Sequence, residues 1–120
     1  MGLYDDVITQ LVAIVSALSG ISGKFGASTI TDENLTLTVV DTEYSFVIPA
    51  NCKSIEFWSR NGYPVRFSFT TGRVATPAGD YLTLKSNCSY ASPPSLNLSS
   101  KTIYFASDNA GDVVELIAWS

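Results

Sequence analysis

Between Tyr4 and Ile21 the apolar residues Tyr4, Val7, Leu11, Ile14, Leu18 and Ile21 step by three and four, a spacing that stacks them on one seam of an α-helix. Ile8, Val12 and Val15 lie beside that seam and widen it beyond the narrow band of a two-stranded coil. So broad a stripe is stable in water only when covered, and the expected cover is a bundle of three or more helices or the surface of a partner. After Ile21 the run Ser22-Gly23-Lys24-Phe25-Gly26-Ala27-Ser28 breaks the helical period. Residues 1–22 therefore read as an amphipathic helix for oligomerisation or docking, 23–31 as a Gly/Ser-rich joint, and 32–120 as a single β domain.

The flanks of the helix bear on what it is for. Asp5 and Asp6 suit the positive end of a helix dipole, whereas a secretion signal carries Lys or Arg there. The apolar run is interrupted by Thr9, Gln10 and Ser16 and falls short of the roughly 20 residues that a bilayer span requires. The expectation is neither a signal peptide nor a membrane anchor. Three Asn-X-Ser/Thr triplets, at Asn34, Asn87 and Asn97, carry no information without a secretory route.

Beyond the joint, segments with period two or β-branched content alternate with turn chemistry. Strands are expected at 35–40, 44–48, 54–60, 65–70, 81–85, 96–98, 102–107 and 113–119, with no second helix. Asn61-Gly62 supplies the positive φ of a tight reversal, which predicts that the flanking strands pair as a hairpin. Asp108 to Asp112 repeats that logic with a longer loop, while Pro77 and Pro93-Pro94 end strands where they stand. Short strands in this number, without intervening helices, favour an all-β antiparallel sandwich or jelly roll. Alternation places Ile55, Phe57, Val65, Phe67, Phe69, Ile103, Phe105, Val114 and Leu116 inward, and Glu56, Trp58, Arg60, Arg66, Tyr104 and Glu115 outward. Trp58 and Trp119 are each either the rim of the core or a contact with a neighbouring subunit.

Composition excludes several functions. The net charge is −4, and the seven Lys and Arg residues stand singly along the chain, so no basic stripe exists for a phosphate backbone and nucleic acid is not an expected partner. Histidine is absent, which removes the usual general base, the usual metal ligand and every Ser-His or Cys-His nucleophile. The carboxylate pairs Asp5/Asp6, Asp32/Glu33 and Asp41/Glu43 fall on the helix start, the joint and a turn, not on strands flanking a cleft. Asp108, Asn109 and Asp112 offer hard oxygen ligands without the spacing of a calcium loop. Cys52 and Cys88 are thirty-six residues apart, which matches no zinc or redox motif. Two free thiols are expected, with one disulfide across the sandwich as the alternative. No enzyme, catalytic residue, metal or cofactor is predicted. Tyr63, Tyr81 and Tyr90 near turns, with Asp80 and Asn87, are the best case for stacking on a sugar ring; strand propensity alone accounts for them equally well.

The stretches FVIPANCKSIEFWSRNGYPVRFSF (46–69), YLTLKSN (81–87), LNLSSKTIYFAS (96–107) and GDVVELIAWS (111–120) resemble small structural proteins of tailed bacteriophages. The likeness is one of pattern and covers about two thirds of the chain. It implies a capsid decoration or cement protein, a head fibre or a tail-fibre module, often trimeric and built on a jelly roll or β-sandwich. Joined to the helix seam, it leads to the expectation of a homotrimeric decoration protein on the virion surface. Its partners would be itself and the major capsid protein. A glycan-binding fibre module and a head-to-tail connector are the alternatives. The seam residues are the expected interface, and Trp58, Tyr63, Tyr81 and Trp119 the candidate surface contacts.

Overall fold

The computed structural model describes residues 2–25, 29–93 and 97–120, and the side chains of all of these except 18–25. Helix α1 spans Leu3–Phe25. Eight strands follow: β1 Ile30–Leu37, β2 Tyr44–Val47, β3 Ser54–Ser59, β4 Val65–Ser68, β5 Leu82–Leu84, β6 Ser89–Ala91, β7 Thr102–Ala106 and β8 Asp112–Trp119. They form two four-stranded sheets, β1-β8-β3-β6 and β2-β7-β4-β5, antiparallel at every pairing. Every connection except β4–β5 passes from one sheet to the other. That winding is a jelly roll, and the all-β sandwich with an N-terminal helix is the observed fold.

The core lies between the sheets where alternation put it. Ile55, Phe57, Val65, Phe67, Ile103, Phe105, Val114 and Leu116 are all buried. Phe57 from the first sheet meets Phe67 and Phe105 from the second edge-on, with ring centroids 5.2 and 5.1 Å apart, a geometry that matches positive ring edges to negative faces. Leu37, Ile48, Cys52, Leu84 and Leu98 close the cluster. Phe69 is the exception, being exposed: β4 ends at Ser68, so the alternation no longer governs it.

Several expectations are corrected. The reversal at Asn61-Gly62 does not join paired strands, because β3 and β4 lie in different sheets, and the same holds for β7 and β8 across Asp108–Asp112. Gly62 and Gly111 do take positive φ, 76° and 80°. Left-handed backbone serves a crossing between layers as well as a hairpin, so this signal locates the turn without naming the partner. α1 runs to Phe25 and β1 begins at Ile30, both inside the expected joint, of which residues 26–28 lie outside the described residues. β1 escapes the sequence pattern because it is an edge strand with Asp32, Glu33 and Asn34 exposed, yet it pairs with β8 along its whole length, from Ile30↔Trp119 to Leu37↔Asp112. The strand expected at 96–98 is not found at Asn97 and Leu98, and Leu96 lies outside the described residues. The short β6 takes its place in the first sheet, paired with Glu56–Trp58 of β3.

Candidate functional site

Two surfaces hold the residues singled out above, and both are apolar. On α1, Asp5 and Asp6 occupy the first turn, where they suit the dipole, and Thr9 Oγ1 donates back to the Asp5 carbonyl at 2.9 Å. From Leu3 to Val15 every large apolar side chain of the stripe, Tyr4, Val7, Leu11 and Ile14 among them, is between 51% and 82% exposed. The side chains of Leu18 and Ile21 lie outside the described residues. Tyr4, Leu11 and Leu18 recur every seven residues and alternate with Val7, Ile14 and Ile21. Leucine at one seam position with isoleucine at the other favours three or four strands over two. Each such side chain gains about 1.5–3 kcal/mol when fully covered, and an isolated helix of this length is marginal in water. The helix therefore depends on a partner for most of its stability.

The second surface is the outward face of the first sheet. Because Ile55, Phe57, Val114, Leu116 and Ala118 are buried, the intervening Trp58, Val113, Glu115, Ile117 and Trp119 point the other way, and all five are half-buried. The register sets Trp119 between Ile30 of β1 and Ser54 of β3, and Ile117 between Asp32 and Glu56. Trp58 stands opposite Glu115, one step diagonally from Ile117. The structure thus brings together the two tryptophans, which the sequence placed only as leftovers. It does not bring the tyrosines to them. Tyr63 is exposed in the β3–β4 turn, and Tyr90 is stacked on Phe57 at 5.0 Å, packed against the core. The Tyr81 hydroxyl donates to the Pro77 carbonyl at 2.8 Å, while the Arg66 guanidinium lies 5.6 Å from its ring centre.

Arg66 is the largest surprise. It points outward from β4 as expected, yet is only 6% exposed, because the β4–β5 connection folds back over it. Its Nε donates to the Val74 carbonyl at 2.7 Å, its Nη2 to Asp41 at 2.6 Å, and its Nη1 to Asp108. Burial works against the guanidinium charge, but the hydrogen bonds and charges of Asp41 and Asp108 outweigh it and hold the group above its ordinary value. Glu43 accepts from Thr71 Oγ1 and from the Gly72 amide, both at 2.8 Å, tying down the same connection. No periodicity announces this arrangement, since one charged residue in an alternating strand reads as a solvated one.

The carboxylates are thus occupied in structural contacts. Asp112, 1% exposed, accepts from Ser59 Oγ at 2.9 Å and Ser107 Oγ at 3.3 Å, and Asp108 turns to Arg66, so the oxygens of that loop do not converge. Among the described residues no group of three or more His, Cys, Asp and Glu is placed to hold a metal. Cys52 is buried and Cys88 exposed, both unbridged. Two open cavities, of about 400 Å³ beside Pro49, Asn51 and Lys53 and about 210 Å³ beside Lys85, Cys88 and Tyr90, gather no acid–base pair. Among the described residues no helix is long and apolar enough to cross a membrane.

The chain matches no protein-family model and no curated protein. Among solved structures it is similar to a de novo designed double-stranded β-helix determined by solution NMR. That match has 16% identity and a TM-score of 0.43, and covers 78% of this chain and 100% of the designed one.

Proposed function

We propose that this protein is a non-enzymatic structural subunit of a tailed-phage virion, a homotrimeric decoration protein that binds the major capsid protein and reinforces the head. The observation that carries the reading is the stripe on α1, whose large apolar side chains stand more than half exposed in the single chain. An uncovered stripe of this kind marks an interaction surface, and its Leu/Ile alternation favours a bundle of three. The jelly roll supplies a compact body with no converging catalytic set, and the resemblance of segments 46–69, 81–87, 96–107 and 111–120 to phage structural proteins supplies the setting. Hydrophobic burial at about 25 cal/mol per Å² then lets each added subunit contact strengthen the shell without chemistry.

The test has two parts. Light scattering after size exclusion should give three times the 12.9 kDa chain mass, and Leu11→Asp with Ile14→Asp should return it to one. A full-length monomer, or a ring of six or twelve, would overturn the trimer, the ring in favour of a connector. Peptide mass spectrometry of purified particles from the encoding phage should find the chain in the heads in many copies. Its absence, or its confinement to tails, would overturn the decoration role.

A further inference from the structure

We propose that the outward face of the first sheet, centred on Trp58, Ile117 and Trp119, is the surface through which the jelly rolls of neighbouring copies pack against one another. The proposal rests on the trimer reading above and adds the partner of the β domain to that of the helix.

Three observations lead there. The outward side of β4 in the second sheet is sealed by its own chain, through the β4–β5 connection with Val74 fully buried and Arg66 clamped beneath it. On the first sheet, Trp58, Val113, Ile117 and Trp119 remain half-buried, with Ile30 64% exposed at the end of the row. The register makes these residues contiguous, since Ile30 and Trp119 are direct cross-strand neighbours and Trp58 reaches Ile117 along the diagonal. A central aromatic and aliphatic cluster edged by Glu56, Glu115 and Arg60 has the composition of an interface core with a polar rim.

The occupant follows from where the patch lies. Its most apolar end, Ile30 and Trp119, is the end at which α1 enters the sheet. Thr29 is bonded to Ser120 in both directions at 2.8 Å, fixing that entry beside Trp119. A parallel bundle of α1 helices therefore gathers copies of this end about one axis. A second copy is thus delivered to the patch by the chain's own architecture, at the high effective concentration that a short tether provides.

Both tryptophans of the chain lie on this face, so tryptophan emission reports on it alone. The experiment is acrylamide quenching of the full-length protein alongside its light-scattering mass, compared with the Leu11→Asp/Ile14→Asp variant. The expected result is a trimer whose emission is blue-shifted and whose quenching constant is several-fold lower than that of the monomeric variant. Ile117→Lys should keep the trimer mass through the helices and raise quenching to the monomer level. A trimer quenched as strongly as the monomer overturns the proposal and leaves the helix reading standing, whereas a monomeric wild type overturns both. Protection that appears only on adding phage heads assigns the face to the capsid and also overturns it. If Ile117→Lys does not fold, Trp119→Ser on the same trimer replaces it, with the remaining Trp58 as probe.

Discussion

On the outward side of β4, Arg66 and Ser68 are buried under a connection of their own chain; on the outward side of β3 and β8, two tryptophans and an isoleucine remain partly in solvent. Both faces belong to one sandwich and share one core, yet one is finished by intramolecular contacts and the other is not. A charged residue on a sheet face is stable out of water when every one of its donors is met, and Arg66 meets Val74, Asp41 and Asp108. An apolar cluster has no such internal remedy, because only more apolar surface covers it. The difference separates what the fold completes by itself from what it leaves for assembly.

The comparison breaks most severely if the shared core is removed. Phe57 is fully buried and touches aromatic rings from both sheets, and Phe57→Ala is expected to cost about 3–5 kcal/mol. Because the ring serves the two layers at once, urea unfolding followed by far-ultraviolet circular dichroism and by tryptophan emission should shift together. Separate midpoints would mean that the sheets are not one cooperative unit.

Arg66→Met should affect one face only. It strands the Val74 carbonyl, whose loss of a partner costs about 1–3 kcal/mol, while Asp41 and Asp108, partly and largely exposed, return to water. The expected outcome is faster trypsin cleavage at Arg73 in the loosened connection, with the tryptophan emission unchanged. An equal change in emission would show that the two faces are coupled.

A thiol probe sharpens the distinction further. Burial pushes the Cys52 thiol up from its ordinary value of 9.0, and its contact with the Ser54 carbonyl opposes this more weakly. The unfolded chain then loses that proton before the folded one does. The contribution of Cys52 to stability is therefore intact below about pH 9 and is lost as the pH rises through the elevated folded value. Below that pH, a maleimide should label exposed Cys88 at once and Cys52 only on global opening. Arg66→Met should leave Cys52 protected, whereas Phe57→Ala should expose it; rapid labelling of Cys52 in the Arg66 variant would contradict a purely local seal.

These contrasts also show what a sequence of this kind reveals. Ile55, Phe57, Val65, Phe67, Ile103, Phe105, Val114 and Leu116 are legible because a half-buried strand alternates strictly, and Tyr4 to Ile21 because a helix repeats at three and four. β1 is not legible: as an edge strand it carries Asp32, Glu33 and Asn34, and its pairing with β8 is written in the partner. β6 is too short to show a period. Turn residues such as Asn61-Gly62 encode backbone angles and say nothing about which sheet the next strand joins. The Arg66 clamp is assembled from positions 41, 66, 74 and 108, so no local window contains it. The two tryptophans were legible as unassigned aromatics, and only the β3–β8 register makes them neighbours.

The smallest effect belongs to an ion pair that looks, on paper, like the Arg66 cluster. Arg60 Nε lies 3.3 Å from Glu115 Oε1 on the outward face of the first sheet, with the two side chains 48% and 30% exposed. Water screens such a pair, and it contributes about 0–1 kcal/mol. Glu115→Gln keeps the shape and removes the charge, so the urea midpoint of the monomeric Leu11→Asp/Ile14→Asp variant should scarcely move. In the full-length trimer the same substitution falls on the rim of the apolar patch, where charge governs association rate and register more than affinity. Its expected signature is a changed salt dependence of trimer assembly with an unchanged monomer stability. A Glu115→Gln loss as large as that of Arg66→Met would mean that this face, too, is sealed from within, and the contrast between the two sheets would no longer hold.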